Sequence, residues 1–431
     1  MTPSLALLAS FAVLLVMGAP IAVALGFAGV VGIYFGLDVY ALATVGTNTY
    51  NGLAKYPLIA IPLFILTGMI FERSGVARGL VEFAGAIVGP RRGGLAVVAV
   101  LVCMMMGGMS GSGPADAAAV AMVMIPSMMR AGYPREFSAS VIAAGASTAI
   151  LIPPSVALII YSIIVPGVDL RALFAGGIIP GILAGAAIII PVLLLSRKHD
   201  FGALETRSQS ALLPAFMHAL PGLLAPVIIL GGLRSGLFTP TEAAVVAVAY
   251  GLVIGMFVYR TIRLRDLYRL FVDSAVTSGV IMLIITLAGI FAWAGATLGT
   301  FDLAANAILG LSGNEHVVLA LIMVVLLLAG MVLDGVSIYL IMLPILMPIM
   351  QEFGWSPVWF GVVMAMNIAI GQFTPPVAVN LMVTTRIAGI PLEKSVGWSL
   401  WLVLSMAIAM TLVIAFPSLV TWLPELLGYR T

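Results

Sequence analysis

A double proline occurs twice in the chain, at Pro153-Pro154 and Pro375-Pro376, and positions 153 and 375 differ by 222. A gapless shift by that offset also lays Gly108 on Gly330, Gly113 on Gly335, Pro126 on Pro348, Gly132 on Gly354 and Gly167 on Gly389. Seven Gly or Pro positions coincide in the 108–170 window, where 46 Gly and 25 Pro in 431 residues give about one by chance. The offset is close to half the chain, so the sequence reads as two copies of one unit. Proline removes a backbone donor and disturbs the carbonyl four residues before it. Each double proline therefore breaks the helix that carries it. In a membrane protein, matched breaks in two halves point to a transporter and to its binding site.

The membrane setting follows from composition. Hydrophobic residues fill 62% of the chain and charged residues 8%, against roughly 25% charged in a soluble domain. The apolar stretch from Leu5 lacks a basic n-region and a cleavage site, so a retained span is expected rather than a signal peptide. Cys103 stands alone in an apolar run, which excludes a disulfide and fits a buried structural thiol. A net charge of +2 carries no sign of nucleic-acid binding.

A span takes about 20 apolar residues. Spans are expected at about 4–17, 20–37, 56–71, 137–165 and 174–195, and again at about 216–234, 240–259, 270–298, 357–388 and 395–423. If 4–35 is instead one long tilted helix, the N-terminus changes sides. Two apolar pairs remain, 93–109 with 115–130 and 315–333 with 337–351, each interrupted by a polar tip. The tips are Ser110-Gly111-Ser112-Gly113-Pro114 and Asp334-Gly335. Arg91, Arg92, Arg130 and Arg135 bracket the first pair, whereas no Arg or Lys flanks the second. Basic residues collect in cytoplasmic loops, so the first hairpin is expected with both ends inside and the second with both ends outside. On this plan 15 of the 19 basic residues face the cytoplasm, and five spans per half make the halves inverted. The fold expected is an all-α polytopic membrane protein, an inverted repeat of five spans plus one re-entrant hairpin each. The first repeat covers 1–197, a cytoplasmic linker 198–213, and the second repeat 214–431. Segments 72–92 and 298–312 read as interfacial arms, with glycines at 75, 79, 85, 89, 295 and 299 giving them freedom. The Arg260–Arg269 cluster reads as a topology anchor beside anionic lipid headgroups.

Polar backbone survives in a bilayer only where protein or a water-filled cavity satisfies it. The break at Pro153-Pro154 has Gly145, Ser147 and Thr148 upstream and Ser155 after it. That at Pro375-Pro376 has Asn367, Gly371, Gln372 and Thr374 upstream and Asn380 downstream. Freed carbonyls suit a hard cation, and half-helix N-termini suit an anion. The tips add Ser110, Ser112 and Asp116 on one side and Asp334 and Ser337 on the other. A carboxylate in the membrane interior costs roughly 2.5–3.5 kcal/mol on insertion scales, and no Arg or Lys lies near either tip, so a bound cation is the natural partner, and sodium held by carbonyls, hydroxyls and one carboxylate fits this inventory. Blander readings stand beside these: the prolines as kinks, Gly107 and Gly108 as a helix-packing face, and Asp334 as a backbone cap. Asp116 has no acidic counterpart, because its offset partner is Ile338. His199, His218 and His316 show no metal-ligand spacing and read as loop or interface residues.

Gly107-Gly108-Met109-Ser110-Gly111-Ser112-Gly113-Pro114-Ala115-Asp116 resembles the large membrane subunit of tripartite ATP-independent periplasmic (TRAP) transporters. So do Pro57-Leu58 through Gly68, Ile152-Pro153-Pro154-Ser155, Thr239-Pro240-Thr241-Glu242-Ala243-Ala244 and Thr374-Pro375-Pro376. The resemblance implies an elevator-type secondary transporter in a bacterial inner membrane, driven by Na+, with no organic cofactor. It implies as partners a small four-helix membrane subunit and a soluble periplasmic substrate-binding protein. Its cargo would be a small organic anion, such as a C4-dicarboxylate, another carboxylate or a sulfonate. Carried over, Ser110, Ser112, Gly145, Thr148 and Pro153 would form one sodium site, and Asp334, Asn367, Gly371 and Thr374 another. Substrate would lie between the tips, with Ser110, Ser112, Ser155, Ser337, Thr374 and Asn380 as candidate contacts. An intramembrane aspartyl protease using Asp116 and Asp334, and a channel or structural subunit, are the competing classes. The repeat does not pair the two acids as a shared-proton dyad would need.

Overall fold

A chain this apolar must satisfy its backbone within its own segments, and helices do so. The computed structural model describes residues 2–37, 39–203 and 211–431, and every regular element among them is helical. Among the described residues, seven helices are long and apolar enough to cross a membrane: Tyr56–Arg73, Leu170–Lys198, Leu212–Arg234, Pro240–Val258, Leu264–Thr297, Gly335–Glu352 and Leu392–Ala415. The protein is an all-α, multi-pass membrane protein.

Both halves contain an arm helix, a hairpin and a broken helix in that order. The first hairpin is Gly94–Ser110 with Gly113–Arg130, and the second is Glu315–Gly330 with Gly335–Glu352. A shift of Gly113 and Arg130 by 222 falls on Gly335 and Glu352, the bounds of the counterpart helix. Each hairpin is followed by a broken helix, Arg135–Ser147 then Val156–Ile164 in one half and Pro357–Gly371 then Val379–Ala388 in the other. Both double prolines sit in the gaps, and the Pro153-Pro154 and Pro375-Pro376 bonds are cis. Before the hairpins lie two short helices in the expected arm segments, Val76–Val88 and Thr300–Leu309.

Two departures from the expected elements, at 395–423 and at 43–53, have physical causes. Residues 395–423 do not form one span; Val396–Ala415 ends and Ser418–Leu426 begins at Phe416-Pro417, where proline cannot donate to the helix ladder. The helix Leu264–Thr297 runs unbroken where the first half has two helices, Ala43–Leu53 and Tyr56–Arg73. Pro57 interrupts the first half there, and its offset partner is Gly279, which a helix tolerates. Ala43–Leu53 escaped the hydropathy reading because Thr44, Thr47, Asn48 and Thr49 leave it no apolar run. At the N-terminus, Pro3–Val16 and Ile21–Gly36 are separate helices packed on each other, turned by Gly18 at φ 78°. The expected 198–213 linker is bounded by Leu170–Lys198 and Leu212–Arg234, and its residues 204–210 lie outside the described residues.

Lipid tails are as apolar as leucine, so small residues that let backbones approach decide which helices meet. A Cβ on Gly29 would stand 2.9 Å from the Phe291 backbone nitrogen, which seats Ile21–Gly36 on Leu264–Thr297. A Cβ on Gly107 would stand 2.7 Å from Ala149 Cα, so the packing reading of that glycine describes its contact with the first break. In the second half Gly371 lies on Gly330, with a Cβ there 2.6 Å from the Gly330 backbone. The first arm packs on Leu212–Arg234, where Glu82 and the His218 ring stand 2.8 Å apart. Of the six arm glycines, Gly75, Gly89 and Gly299 adopt the left-handed backbone at helix ends. Gly79 instead lies against the His218 carbonyl and Gly295 against the Phe301 ring. Arg73 and Asp273, 2.6 Å apart, tie Tyr56–Arg73 to Leu264–Thr297. Cys103 is buried, with Ile142 O 3.7 Å from its sulfur.

The Gly371–Gly330 contact predicts that Gly371→Ala lowers stability by about 1–3 kcal/mol, the cost of overpacking a tight contact. Gly231→Ala, with nothing within 4 Å of its added Cβ, should leave the melting temperature unchanged or higher. Thermal unfolding of both variants in detergent checks the contrast.

Candidate functional site between the hairpin tips

The two tips close on one cavity of 280 Å³. Ser110, Gly111, Ser112 and Gly113 of the first tip and Asp334, Gly335 and Val336 of the second line it. Glu72 and Thr277, from Tyr56–Arg73 and Leu264–Thr297, form part of the opposite wall. Three helices begin at this space, at Gly113, Val156 and Gly335. Their positive dipole ends favour an anion. The charged side chains in the lining are Glu72 and Asp334, both acidic, and no Arg or Lys is among them. The arrangement therefore offers positive helix ends and hydroxyl groups to an anion and carboxylates to a cation.

In the first tip, the Ser110 hydroxyl donates to Asp116 Oδ1 at 2.7 Å and accepts from the Ser112 backbone N–H at 3.1 Å. Ser112 occupies the N-cap position of Gly113–Arg130 without making a side-chain cap bond, which leaves its hydroxyl for the cavity. The tip abuts the first break: a Cβ on Gly111 would stand 2.6 Å from Pro154 O. Within that break Thr148 donates to Gly145 O at 2.7 Å, so this carbonyl is already engaged. Ser155 caps Val156–Ile164 by accepting from Leu158 N, and donates to Ile150 O at 2.6 Å. The Pro153 carbonyl lies 3.6 Å from where a Gly108 Cβ would stand.

In the second tip, Asp334 caps Gly335–Glu352, accepting from the N–H groups of Val336 at 3.1 Å and Ser337 at 3.3 Å. The Ser337 hydroxyl also donates to Asp334. The tip carbonyl of Met331 accepts from Val377 N and Ala378 N, at 3.3 and 3.1 Å, which satisfies backbone released by the second break. Thr374 donates to Ile370 O at 2.6 Å, and Asn367 donates to Met323 O at 2.9 Å while its own Oδ1 has no partner.

Ser110, Ser112 and Asp334 thus line one cavity, while Ser155, Ser337, Thr374 and Asn380 are buried outside its lining. Gly145, Thr148, Pro153, Asn367 and Gly371 lie in the two broken helices and do not line it either. Sequence reasoning named Gln372 among the polar residues before the second break without giving it a ligand role, and did not single out Glu72 or Thr277. Gln372 is the central one. Its Oε1 is 2.9 Å from the point where a Gly113 Cβ would stand and its Nε2 is 3.7 Å from the corresponding point at Gly335. One amide therefore sits between the first turns of both return helices. A polar residue in the apolar run before Pro375 was the available signal, and its offset partner Ile150, also in the lining, gave no echo of it. Among the described residues, no His, Cys, Asp and Glu come together as a metal cluster.

A permease built of matched hairpins and broken helices, with its polar site at the tips, is the class this architecture defines. The chain belongs to the family described as "Tripartite ATP-independent periplasmic transporter, DctM component", whose model matches residues 8–419. The chain is thus a bacterial inner-membrane permease subunit rather than an enzyme. It is 38% identical to the C4-dicarboxylate TRAP transporter large permease protein DctM of Pseudomonas aeruginosa, over 86% of this chain and 87% of that one. It is 36% identical to the isethionate TRAP transporter permease protein DctMQ of Oleidesulfovibrio alaskensis, over 89% of this chain and 60% of that one. The crystal structure of the Alcanivorax borkumensis YdaH transporter shares the fold, with a TM-score of 0.63 at 17% identity, covering 97% of this chain and 99% of that one.

The cap geometry at Asp334 separates its structural part from its charge. Asparagine is as good an N-cap as aspartate, and alanine loses about 1 kcal/mol. Asp334→Asn should therefore melt within a degree or two of the parent, on the usual scaling of small stability changes, and Asp334→Ala measurably lower. Equal melting of the two variants would show that the cap contributes nothing.

Proposed function

We propose that the chain is the large transmembrane subunit of a sodium-coupled TRAP transporter that takes up a small organic anion. The observation that carries this reading is the cavity between the tips, which combines three helix N-termini with two carboxylates and no basic side chain. An anion entering beside Glu72 and Asp334 needs accompanying cations to offset their repulsion. Relatives named for C4-dicarboxylate and isethionate permeases support a carboxylate or sulfonate as cargo. The same kinship supports a small four-helix membrane subunit and a soluble periplasmic binding protein as partners. The sodium ions are assigned to the two tip-and-break pairs, Ser110 and Ser112 with Gly145, Thr148 and Pro153, and Asp334 with Asn367, Gly371 and Thr374.

The movement is an elevator. A site near the middle of a hydrocarbon core about 30 Å thick has to be opened to each face in turn, and we assign that exchange to movement of the site itself. The hairpins and broken helices form the moving block, the remaining spans the scaffold, and Val76–Val88 and Thr300–Leu309 the arms. The scaffold wall of the cavity ends at Glu72, next to the Arg73–Asp273 pair and on the side rich in Arg263, Arg265 and Arg269. We take that side as cytoplasmic from the distribution of basic residues, which supports an inward position of the block in this conformer. The halves are inverted, with the ends of the first hairpin inside and those of the second outside.

Uptake in proteoliposomes containing both partners tests the coupling. Asp334→Asn should retain its fold but lose most of its sodium-stimulated uptake; undiminished sodium stimulation would remove Asp334 from the cation site. Single cysteines at Arg91, Arg135, Asn314 and Glu352, placed in a Cys103→Ser background, test the inversion. The first two should be labelled from the cytoplasm and the last two from the periplasm, and labelling of Arg135 and Glu352 from one side would contradict it.

A further inference from the structure

Where Tyr56–Arg73 ends against the start of Leu264–Thr297, the scaffold encloses a cavity of 370 Å³. Arg73, Arg265 and Arg269 line it, with one acid, Asp266. Arg73 comes from the last turn of one helix. Arg265 and Arg269, four residues apart, come from one face of the other. The turn before that second helix is fixed by Gly255 O, which accepts from Thr261 N at 2.9 Å and from Ile262 N at 3.1 Å. Arg260 takes the left-handed backbone, φ 55°, within this turn. The cavity also lies at the root of the first arm. A Cβ on Gly75, the residue before Val76–Val88, would stand 2.9 Å from Thr261 Cγ2, and Thr261 is part of the lining.

A topology anchor needs positive charge on one face of the membrane and no particular geometry. Here the charge is gathered around a space. Arg73 pairs with Asp273 at 2.6 Å. Asp266 is engaged by its own helix start, accepting from Arg263 N at 3.0 Å, and Arg265 Nε is 3.8 Å from its other oxygen. Arg269 has no ion-pair partner among the described residues. Three arginines against Asp266 and Asp273 leave one positive charge, the complement of a phosphodiester. Guanidinium forks match phosphate oxygens, and the N-terminal end of Leu264–Thr297 adds a favourable dipole. The depth is also right. That helix has 34 residues, about 51 Å at 1.5 Å each, against about 40–45 Å for a bilayer with its headgroups. Its ends therefore reach the headgroup regions. Leu264 and Tyr268, 76% and 80% exposed, flank the two arginines, and tyrosine beside basic residues marks a membrane interface.

We propose that Arg73, Arg265 and Arg269 bind one phosphate group, that of an anionic phospholipid in the cytoplasmic leaflet. Inorganic phosphate offers the same oxygens, but the exposed Leu264 and Tyr268 give acyl chains a surface beside the site. A zwitterionic headgroup would bring its own cation to a place that already has positive charge to spare. The site occurs once, because the offset partners of Arg73, Arg265 and Arg269 are Gly295, Ala43 and Thr47. Its lipid joins the end of one scaffold span to the start of another, where the first arm departs. The leaflet follows from the orientation proposed above; the binding itself does not depend on it or on sodium coupling.

Native mass spectrometry of the purified full chain, stripped of lipid in detergent and titrated with phosphatidylglycerol, tests it. The parent should take up one molecule before any others. The double variant Arg265→Gln, Arg269→Gln should bind that molecule about tenfold more weakly or worse. The control Arg197→Gln, Lys198→Gln removes the same charge elsewhere and should bind as the parent does. Both arginines are exposed, and if the double variant does not fold, Arg269→Gln alone decides. Equal loss in the two double variants, or no first molecule on the parent, overturns the site. Phosphatidylcholine in equal amount should not displace the bound lipid, and equal competition overturns the match of charge. Inorganic phosphate in large excess should not displace it either. Displacement by inorganic phosphate that the parent retains and Arg265→Gln, Arg269→Gln does not would overturn the lipid as the source of the phosphate.

Discussion

Backbone groups released inside the membrane must find partners from protein, and the architecture follows from how this chain supplies them. At the second break, the Met331 carbonyl at the hairpin tip receives the N–H groups of Val377 and Ala378. At the first break, Ser155 takes up the Ile150 carbonyl, and the backbone of Gly111 lies against Pro154. A break without its tip would expose polar backbone to lipid, and a tip without its break would do the same. Hairpin and broken helix are therefore one unit in each half, and the small contacts at Gly107–Ala149 and Gly371–Gly330 allow the approach.

Two such units placed tip to tip create the site. Each return helix starts at a glycine, Gly113 or Gly335, and these starts face one another across Gln372. Glycine is needed because the Gln372 amide occupies the space that a Cβ at Gly113 would fill. The helix starts that open on the cavity are thus consequences of the tips and the first break, and two carboxylates, Glu72 and Asp334, share the space with them. Asp334 serves both purposes, since capping a helix orients the same carboxylate that lines the cavity.

The repeat made much of this legible from sequence. Hairpin limits read as 315–333 and 337–351 correspond to helices Glu315–Gly330 and Gly335–Glu352, because apolar runs and polar tips alternate sharply there. Double prolines marked both breaks for the reason that proline always does. A single proline was passed over at Pro417, inside an otherwise apolar run, and the helix ends there. Ala43–Leu53 was invisible to hydropathy because it is polar, although its counterpart is the first third of Leu264–Thr297. The site was legible at the tips, where Ser110, Ser112 and Asp334 stand out against apolar neighbours. Gln372 stood out beside the second break but its place between the two return helices did not, and Glu72 did not stand out at all, because only tertiary packing brings them to the cavity and neither has an echo in the other half.

The central claim of this account is that the hairpins and broken helices move as one block against the scaffold. Gly108 of the first hairpin and Pro226 of Leu212–Arg234 meet across that boundary, with a Cβ on Gly108 3.5 Å from Pro226 Cγ. A disulfide needs a Cβ···Cβ spacing of about 3.5–4.5 Å, so formation of the bond is scored before uptake is read, and neither residue lines the cavity between the tips. The decisive measurement is uptake by a Gly108→Cys, Pro226→Cys protein in a Cys103→Ser background, before oxidation, after it, and after reduction. The account predicts that oxidation stops uptake while the protein remains folded, and that reduction restores it. Uptake at the full rate by fully cross-linked protein would contradict a moving block and require a fixed site gated from either side.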